Sequence, residues 1–513
     1  MTTLITRRGL MQGTAAGAMA LGLGPRALAE GTPKRGGKMR MGKAHGQTSD
    51  SHDPGTYENG FMTAFSMMLY NRLTEVDVDG SLIPELAESW EASADASEWT
   101  FKIRQAQFHD GSPVTAADVI ASLNHHRGED SKSAAKPIVS AISEISAVGT
   151  DAVKFVLEGG NADFPFVLSD YHLVIGKDNG SGQVDWNGVG TGSYVLRNFE
   201  PGIRLDAVRN DNNWRADRGW FDEIEMLAIV DPVARMNALM TGGVDAIDRV
   251  EPKSVQLLKR NPNLVIEAVA GTQHYTFPMR TNIAPFDNKD VRLALKYSIK
   301  RQEMLDKVLN GFGSLGNDLP IGPNQRFFNT DLPQRDFDAD KAKFHLKQAG
   351  MDSLDVELYA ANAAFPGAID AAQLYAASAA EAGINIKVNR AADDGYWSNI
   401  WNSKPWCACY WGGRPVEDQM FSTAYQTGVP WNDTAWSNER FDELLIAARA
   451  ELNNETRREM YYEMQAILYD DGGLVCPMFS SYVTATAQNV KHGPVASNWP
   501  LDGERWAERW WFA

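Results

Sequence analysis

The chain has 513 residues, of which 43% are hydrophobic, and a formal net charge of −17 at pH 7. This length exceeds that of one ordinary domain, so two or three domains are expected. An acidic surface argues against nucleic acids and anionic membranes as partners.

The first 29 residues predict an export signal. Arg7 and Arg8 form a twin-arginine pattern ahead of an Ala/Gly-rich run over residues 14–24, and residues 27–29 give a small-residue cleavage site. The run is too short for a permanent membrane span, and no cysteine lies near the cleavage site. We expect export by the twin-arginine route and a periplasmic mature protein without a lipid anchor. The alternative is an unstructured start in which the two arginines are coincidental.

Residues 86–119, LAESWEASADASEWTFKIRQAQFHDGSPVTAADV, predict a strand, a turn and a helix. Trp99, Phe101 and Ile103 alternate with polar residues, as in a half-buried strand. The Asp-Gly-Ser-Pro sequence that follows is typical of a turn. Thr115 and Asp118 have the spacing of a capping box, which predicts that a helix begins there.

The rest of the chain alternates short strands with amphipathic helices, which is the pattern of an α/β fold. It predicts a strand at 38–41, a hairpin of 192–196 and 203–208, a helix at 232–239 and a strand near 244–246, one helix through 291–305 that ends at Gly311, and helices at 438–452 and 455–468.

The three cysteines, Cys407, Cys409 and Cys476, leave at least one unpaired. We interpret them as buried free thiols, with a disulfide between Cys476 and one of the other two as the alternative. The nine histidines show no metal-ligand spacing, and no nucleophile has a credible base nearby. The sequence therefore predicts no catalytic residue, no metal ligand and no cofactor.

The 86–119 segment closely resembles the signature of the family 5 extracytoplasmic solute-binding proteins of ABC importers, the peptide/nickel class. Residues 190–194, 209–214 and 285–295 also resemble elements of that family. The resemblance implies an α/β, two-lobed periplasmic binding protein fold of the cluster C type, with a cleft between the lobes. The expected division is lobe I over 30–270 with an extra subdomain at about 76–185, lobe II over 271–485, and a C-terminal return to lobe I over 486–513.

The family resemblance implies the substrate-binding component of an ABC importer. It is expected to be a monomer that presents a small molecule or short peptide to permease subunits in the inner membrane. The alternatives are an exported peptide or amide hydrolase, a chaperone-like or structural protein, and a binder of an unrelated solute such as an opine, a sugar or a metal complex.

Candidate ligand contacts concentrate in residues 393–436, which hold nine Trp and Tyr side chains and a Gly-Gly-Arg turn. In peptide-binding relatives the corresponding strand ends in an Asp that pairs with the ligand's α-amine, and here Arg414 stands at roughly that place. Because arginine binds a carboxylate with two hydrogen bonds, the substitution favours an acidic ligand. The alternative for Arg414 is a structural salt bridge to Glu417 or Asp418.

Arg280 is a second departure, because relatives commonly have Asn on the strand that leaves the hinge. It is either a second cation near the cleft or a solvated strand end. The full set of predicted ligand contacts is Arg280, Tyr396, Trp397, Tyr410, Trp411, Gly412, Gly413, Arg414, Asp418 and Trp431.

Overall fold

The computed structural model describes residues 32–393, 395–414 and 416–513, so the predicted export signal lies outside the described residues. The helices are α1 Gly60–Leu69, α2 Ala116–Asn124, α3 Lys136–Val139, α4 Phe164–Val167, α5 Pro232–Met240, α6 Val255–Leu258, α7 Lys289–Tyr297, α8 Arg301–Val308, α9 Ala339–Gln348, α10 Ala368–Ala380, α11 Tyr396–Asn399, α12 Glu417–Ala424, α13 Glu439–Ala450, α14 Asn454–Asp471, α15 Pro500–Gly503 and α16 Trp506–Arg509. None of these helices is both long and apolar enough to cross a membrane.

The strands are β1 Lys38–Lys43, β2 Thr74–Val76, β3 Leu82–Pro84, β4 Ala87–Ala92, β5 Glu98–Ile103, β6 Ile142–Ala147, β7 Ala152–Leu157, β8 Tyr194–Glu200, β9 Arg204–Arg209, β10 Glu223–Ala228, β11 Ala246–Ile247, β12 Leu264–Thr276, β13 Gly313–Leu315, β14 Leu354–Ala360, β15 Ile384–Arg390, β16 Cys409–Trp411, β17 Met478–Ala487, β18 Val490–Lys491 and β19 Trp511–Phe512. The first strand, the hairpin of β8 and β9, and helices α5, α13 and α14 confirm the sequence predictions.

A mixed sheet forms the spine of the molecule. Its order is β16–β12–β17–β11–β1–β10–β9–β8, with β13 also paired to β17. Strand β1 runs parallel to β10 and β11, and the other pairs are antiparallel. The sheet therefore brings the carboxyl ends of three parallel strands to one edge.

Two long strands, β12 and β17, carry the chain between the two halves of the molecule. Their pairing shifts register between Ala270 and His274, and the hydrophobic cores separate at about this point. One core holds residues from Tyr275 to Met478, whereas another holds only residues before 250 and after 489. This separation supports the predicted lobe I and lobe II, and the division remains our inference.

The predicted lobe II ends at residue 485, but the chain passes back to lobe I along β17 slightly before that residue. Val483 and Ala485 on β17 pack with Leu239 and Leu258, which belong to lobe I. We therefore infer that the hinge lies close to residues 271–273 and 480–481.

The segment that carries the sequence signature forms a separate antiparallel sheet, β4–β5–β7–β6, with α2 against it. Trp99, Phe101 and Ile103 are buried in its core, as their alternation predicted. Asp118 Oδ2 accepts a hydrogen bond of 2.7 Å from the Thr115 backbone N–H, so the predicted capping box is present.

The single helix predicted through residues 291–305 is wrong, because the structure has two helices there. The hydroxyl and the N–H of Ser298 both donate to the Leu295 carbonyl, which ends α7. Lys300 then leaves helical geometry, with ψ of 83°, before α8 begins. The apolar residues still reach one core, so the periodicity indicated burial correctly and helix continuity incorrectly.

Candidate functional site

The predicted Gly-Gly-Arg turn follows the edge strand β16, which pairs antiparallel with β12 so that Trp411 lies opposite His274. A Cβ atom on Gly413 would lie 1.5 Å from Thr272 Oγ1, so only glycine fits at this position. The hinge segment of the chain itself therefore makes this close approach. It fixes Arg414 beside the hinge.

Arg414 has no carboxylate within 4 Å among the described residues. Its Nη1 donates only to the carbonyls of Gly412 and Gly413, at 3.2 and 3.3 Å. Burial lowers the pKa of its guanidinium, and Tyr171 and Asp170 across the cleft act in the opposite direction. Arginine stays charged under these conditions. The site therefore presents a partly buried cation whose charge is not neutralised by an ion pair.

The structure does not support the alternative in which Arg414 pairs with a nearby acid. Glu417 accepts the Phe327 N–H at 2.7 Å. Asp418 forms an ion pair with Arg449 at 3.0 Å and is buried. The prediction that Asp418 contacts the ligand is therefore wrong, because its carboxylate is already paired with Arg449.

The imidazole of His274 is buried next to Arg414, and burial, followed by the Arg414 charge, lowers its pKa to about 4. It is therefore neutral at pH 7. Its Nδ1 lies 3.1 Å from the Thr272 carbonyl oxygen, to which it donates. The cationic character of this part of the cleft therefore comes from Arg414.

Three predicted aromatic contacts form an exposed surface, which we call the aromatic patch: Trp397, Tyr410 and Trp431 are 40%, 40% and 51% exposed. Trp397 packs on Tyr410 with ring centroids 5.6 Å apart. Trp401 and Trp411 connect Trp397 to Trp431 from below, with centroid distances of 5.9 to 6.4 Å. Such faces bury apolar ligand surface effectively.

Two other predicted contacts are used internally. Tyr396 is only 1% exposed, and its hydroxyl donates to the Ala408 carbonyl at 2.7 Å, so its side chain belongs to the core. Arg280 Nη1 donates to the Asn402 carbonyl at 2.8 Å and also to its side-chain oxygen. Arg280 therefore braces the loop at Asn402, so it is not a solvated strand end, and its role as a second cation near the cleft stays a prediction.

A buried carboxylate that the sequence analysis did not identify holds the aromatic patch in place. Asp433 Oδ2 accepts from the indole N–H of Trp401 at 3.0 Å and of Trp411 at 3.3 Å. Burial raises the pKa of Asp433 to about 6. Its position two residues after Trp431 is the only local indication of this role in the sequence.

Because the folded-state pKa of Asp433 is raised, its contribution to stability is present at low pH and is lost as pH rises through about 6. Asp433→Asn keeps an oxygen acceptor and removes the charge. We expect the variant to gain stability relative to wild type between about pH 4 and about pH 8, by an amount on the order of 2 kcal/mol. Chemical denaturation at both pH values measures this, with the exposed Asp352→Asn as control. If the difference in unfolding free energy between variant and wild type is the same at both pH values, this prediction is contradicted.

The lobe I side of the hinge contains a buried charge network. Lys43 Nζ bonds both oxygens of Glu504, at 2.9 and 2.7 Å, and lies 3.0 Å from Asp248 Oδ2. Glu504 belongs to a left-handed turn over residues 501–504, with φ between 52° and 69°. Such strained backbone is concentrated at functional sites. Lys43 is the last residue of β1 and Asp248 follows β11, at the carboxyl ends of two parallel strands, where ligands bind in open α/β sheets.

A second network joins the extra subdomain to lobe II, and we call it the latch: Asp163, Arg326 and Arg457. Arg457 donates to both oxygens of Asp163, at 3.0 and 2.5 Å, and Arg326 donates at 2.8 Å. The Ala162 N–H also donates to the Arg449 carbonyl at 2.7 Å. We infer that these contacts hold the predicted lobes together on the side of the cleft where the predicted subdomain lies.

Within the described parts of the chain, no three His, Cys, Asp or Glu side chains are grouped to hold a metal ion. Cys407, Cys409 and Cys476 are free and buried, which confirms the interpretation as free thiols. Burial raises the pKa of each thiol, so none is activated as a nucleophile. The arrangement is suited to holding an anion with an apolar body.

The profile of the bacterial extracellular solute-binding proteins, family 5 Middle, matches residues 81–433. The match spans more than half of the chain, so the chain belongs to this family, as the resemblance predicted. Members of the family are non-catalytic solute-binding proteins. The protein is therefore the substrate-binding component of an ABC importer, and the hydrolase alternative is excluded.

Individual relatives extend the similarity over almost the whole chain. The dipeptide-binding protein of Escherichia coli (strain K12) is 24% identical over 471 residues, covering 83% of this chain and 86% of the relative. HbpA2 from Haemophilus parasuis has a TM-score of 0.81 at 21% identity, covering 91% and 99% of the two chains. AgaA from A. tumefacien R10, solved with agropinic acid, has a TM-score of 0.72 at 23% identity, covering 93% and 99%. The predicted periplasmic binding protein fold is thereby confirmed.

Proposed function

We propose that the protein captures a small amino-acid-derived carboxylate, such as a short acidic peptide or a modified amino acid, in the cleft between its lobes. It then presents the closed complex to the importer's permease subunits in the inner membrane. The observation that carries this proposal is Arg414, a partly buried guanidinium at the hinge with no carboxylate partner among the described residues.

In this proposal the aromatic patch and Arg414 contact different parts of the ligand. The aromatic faces bury the apolar part of a ligand, and the planar guanidinium fixes an acidic group by two parallel hydrogen bonds. One relative is named for dipeptides and another was solved with agropinic acid. Sequence and structural similarity to these relatives therefore does not identify the ligand of this protein. The arginine at the position where peptide-binding relatives carry an aspartate favours a ligand without a free ammonium group there.

The proposal is tested on protein purified without refolding. Native mass spectrometry should detect a bound small molecule that is released on denaturation and contains at least one carboxylate. In parallel, thermal unfolding is measured with N-acetylated amino acids, their amides and unmodified dipeptides. We expect acids that lack a free ammonium to raise the melting temperature with concentration, since a ligand of the folded state stabilises by mass action. Stabilisation by amides and acids alike would contradict the proposed ligand class.

Delivery to a permease requires export, for which we propose the twin-arginine route and cleavage near Glu30. Replacing both Arg7 and Arg8 with lysine should leave full-length precursor in the cytoplasm, because that route recognises the arginine pair. Cell fractionation with an antibody against the mature protein measures the result. An unchanged periplasmic yield would contradict the route and indicate general secretion.

A further inference from the structure

Arg249 is a second cation beside the hinge, on the lobe I side. It follows β11, whose pairing partners are β1 and the crossing strand β17. It therefore lies at the carboxyl end of a parallel pair, which is where the cleft of an α/β lobe opens. The sequence analysis did not identify it, because it belongs to no motif.

The side chain of Arg249 is exposed, and no carboxylate lies within 4 Å of it among the described residues. Its backbone is left-handed, with φ of 47°, and its carbonyl accepts from Arg235 Nη2 at 3.2 Å. Such a backbone conformation persists only where the surrounding structure imposes it, so the backbone position of Arg249 is fixed. Burial and then the Arg249 charge lower the pKa of His45 to about 4, so this neighbouring imidazole is neutral.

Arg249 and Arg414 both follow strands that pair with the crossing strands: β11 pairs with β17, and β16 pairs with β12. The N–H of the next residue, Val250, donates to the Val483 carbonyl of β17 at 3.0 Å, which places Arg249 beside this crossing strand. The charge of Arg249 also acts on Tyr275 of β12 and on Tyr482 of β17. Tyr275 lies opposite Tyr410 of β16, and Arg414 follows three residues after that strand ends. Lobe I thus brings one cation to the hinge region and lobe II brings another.

We propose that the ligand carries two carboxylates, one bound by Arg249 of lobe I and the other by Arg414 of lobe II. This inference rests on the proposed function and narrows its ligand class to dicarboxylates. Closure brings two cations towards each other, and a dianion between them converts that repulsion into two charge-assisted contacts. Because each lobe holds one end, both contacts form together only in the closed state, which is the condition for a ligand to favour closure.

The test uses matched probes measured by calorimetry: the unsymmetrical dicarboxylate N-succinyl-L-alanine with its two mono-amides, and the symmetric succinate and glutarate with the single mono-amide of each. The variants are Arg249→Gln and Arg414→Gln. The controls are Arg260→Gln in lobe I and Arg390→Gln in lobe II, both exposed and without a salt bridge in the described structure. Denaturation of each variant confirms that it is folded.

We expect the best dicarboxylate to bind the wild type at least about 30-fold more tightly than either mono-amide. Each cleft variant should lose a similar factor for the dicarboxylate, and each should lose little for the mono-amide that lacks its partner carboxylate. The control variants should retain wild-type affinity. Arg249→Lys should recover only part of the affinity, since an ammonium lacks the planar fork.

Equal binding of dicarboxylate and mono-amides, or Arg249→Gln with unchanged affinity for every probe, overturns the dicarboxylate inference and leaves the proposed function standing. A co-purified ligand with a single acidic group has the same consequence. If no probe of any charge binds and no small molecule is released from the native protein, the proposed function fails together with the inference.

Discussion

Arg414→Ala is expected to weaken binding of an acidic ligand about 30-fold to several thousand-fold, the equivalent of about 2–5 kcal/mol. The reason is that the ligand carboxylate would enter the closed cleft without a charged partner. The effect is large because the neighbouring imidazole cannot replace Arg414: His274 is neutral at pH 7, with a pKa of about 4. Calorimetric titration of the ligand identified by native mass spectrometry measures the loss.

The comparison between an acid and its amide separates a ligand contact from a structural role. Amidation should weaken binding to the wild type far more than to Arg414→Ala, and Arg414→Lys should recover only part of the affinity. Arg390→Ala, an exposed arginine of the same lobe, serves as the control. Equal losses for acid and amide, together with a much lower melting temperature, would assign Arg414 to structure.

Asp163→Asn is expected to open the cleft. The carboxylate of Asp163 and the guanidinium of Arg457 are each 3% exposed, and removing one partner of such a pair typically costs about 3–5 kcal/mol. Because the latch joins the subdomain to lobe II, we expect this cost to act on closure rather than on either core. Small-angle scattering should show a larger radius for the variant, and its ligand affinity should fall.

The matched control for the latch is Asp110→Asn. Asp110 also lies in the subdomain and pairs with Lys177 at 2.7 Å, but both side chains are more than 40% exposed, so about 0–1 kcal/mol is expected. If Asp163→Asn lowers the denaturation midpoint of the whole protein and leaves the scattering radius unchanged, the latch is a permanent contact and does not control closure.

The latch also predicts a pH dependence. Arg457 and Arg326 outweigh the opposing effect of burial and hold the pKa of Asp163 below its usual range. A depressed carboxylate pKa contributes stability above the unfolded value, which is about 4, and loses it as pH falls through the folded value. We therefore expect scattering to show unchanged closure from neutral pH down to about pH 4, with opening only below that range.

Local patterns predicted the elements that depend on neighbours in sequence. The alternation of Trp99, Phe101 and Ile103 indicated a strand, and Thr115 with Asp118 indicated the start of a helix. The break at Ser298 was missed, because the apolar periodicity continues through it and only the hydrogen bonds of Ser298 end the helix. Periodicity reports which side chains are buried and gives less information on whether the backbone between them is continuous.

The candidate site was predictable only in part, because several of its contacts join residues that are distant in sequence. Arg414 was identified because it departs from a family pattern, but its lack of an acidic partner depends on Asp418 reaching Arg449 instead. Asp163 and Arg457 are 294 residues apart in the chain, so no local pattern links them. Within the aromatic window, composition alone could not distinguish the buried Tyr396 from the exposed Trp397.

The central claim is that an acidic ligand closes the two lobes around itself. The most direct measurement is the radius of gyration from small-angle scattering, recorded without ligand and at saturation with the acid identified by native mass spectrometry. We predict a smaller radius with ligand in the wild type and little change in Arg414→Ala at the same ligand concentration. Tight binding to the wild type without any decrease in radius would contradict the account.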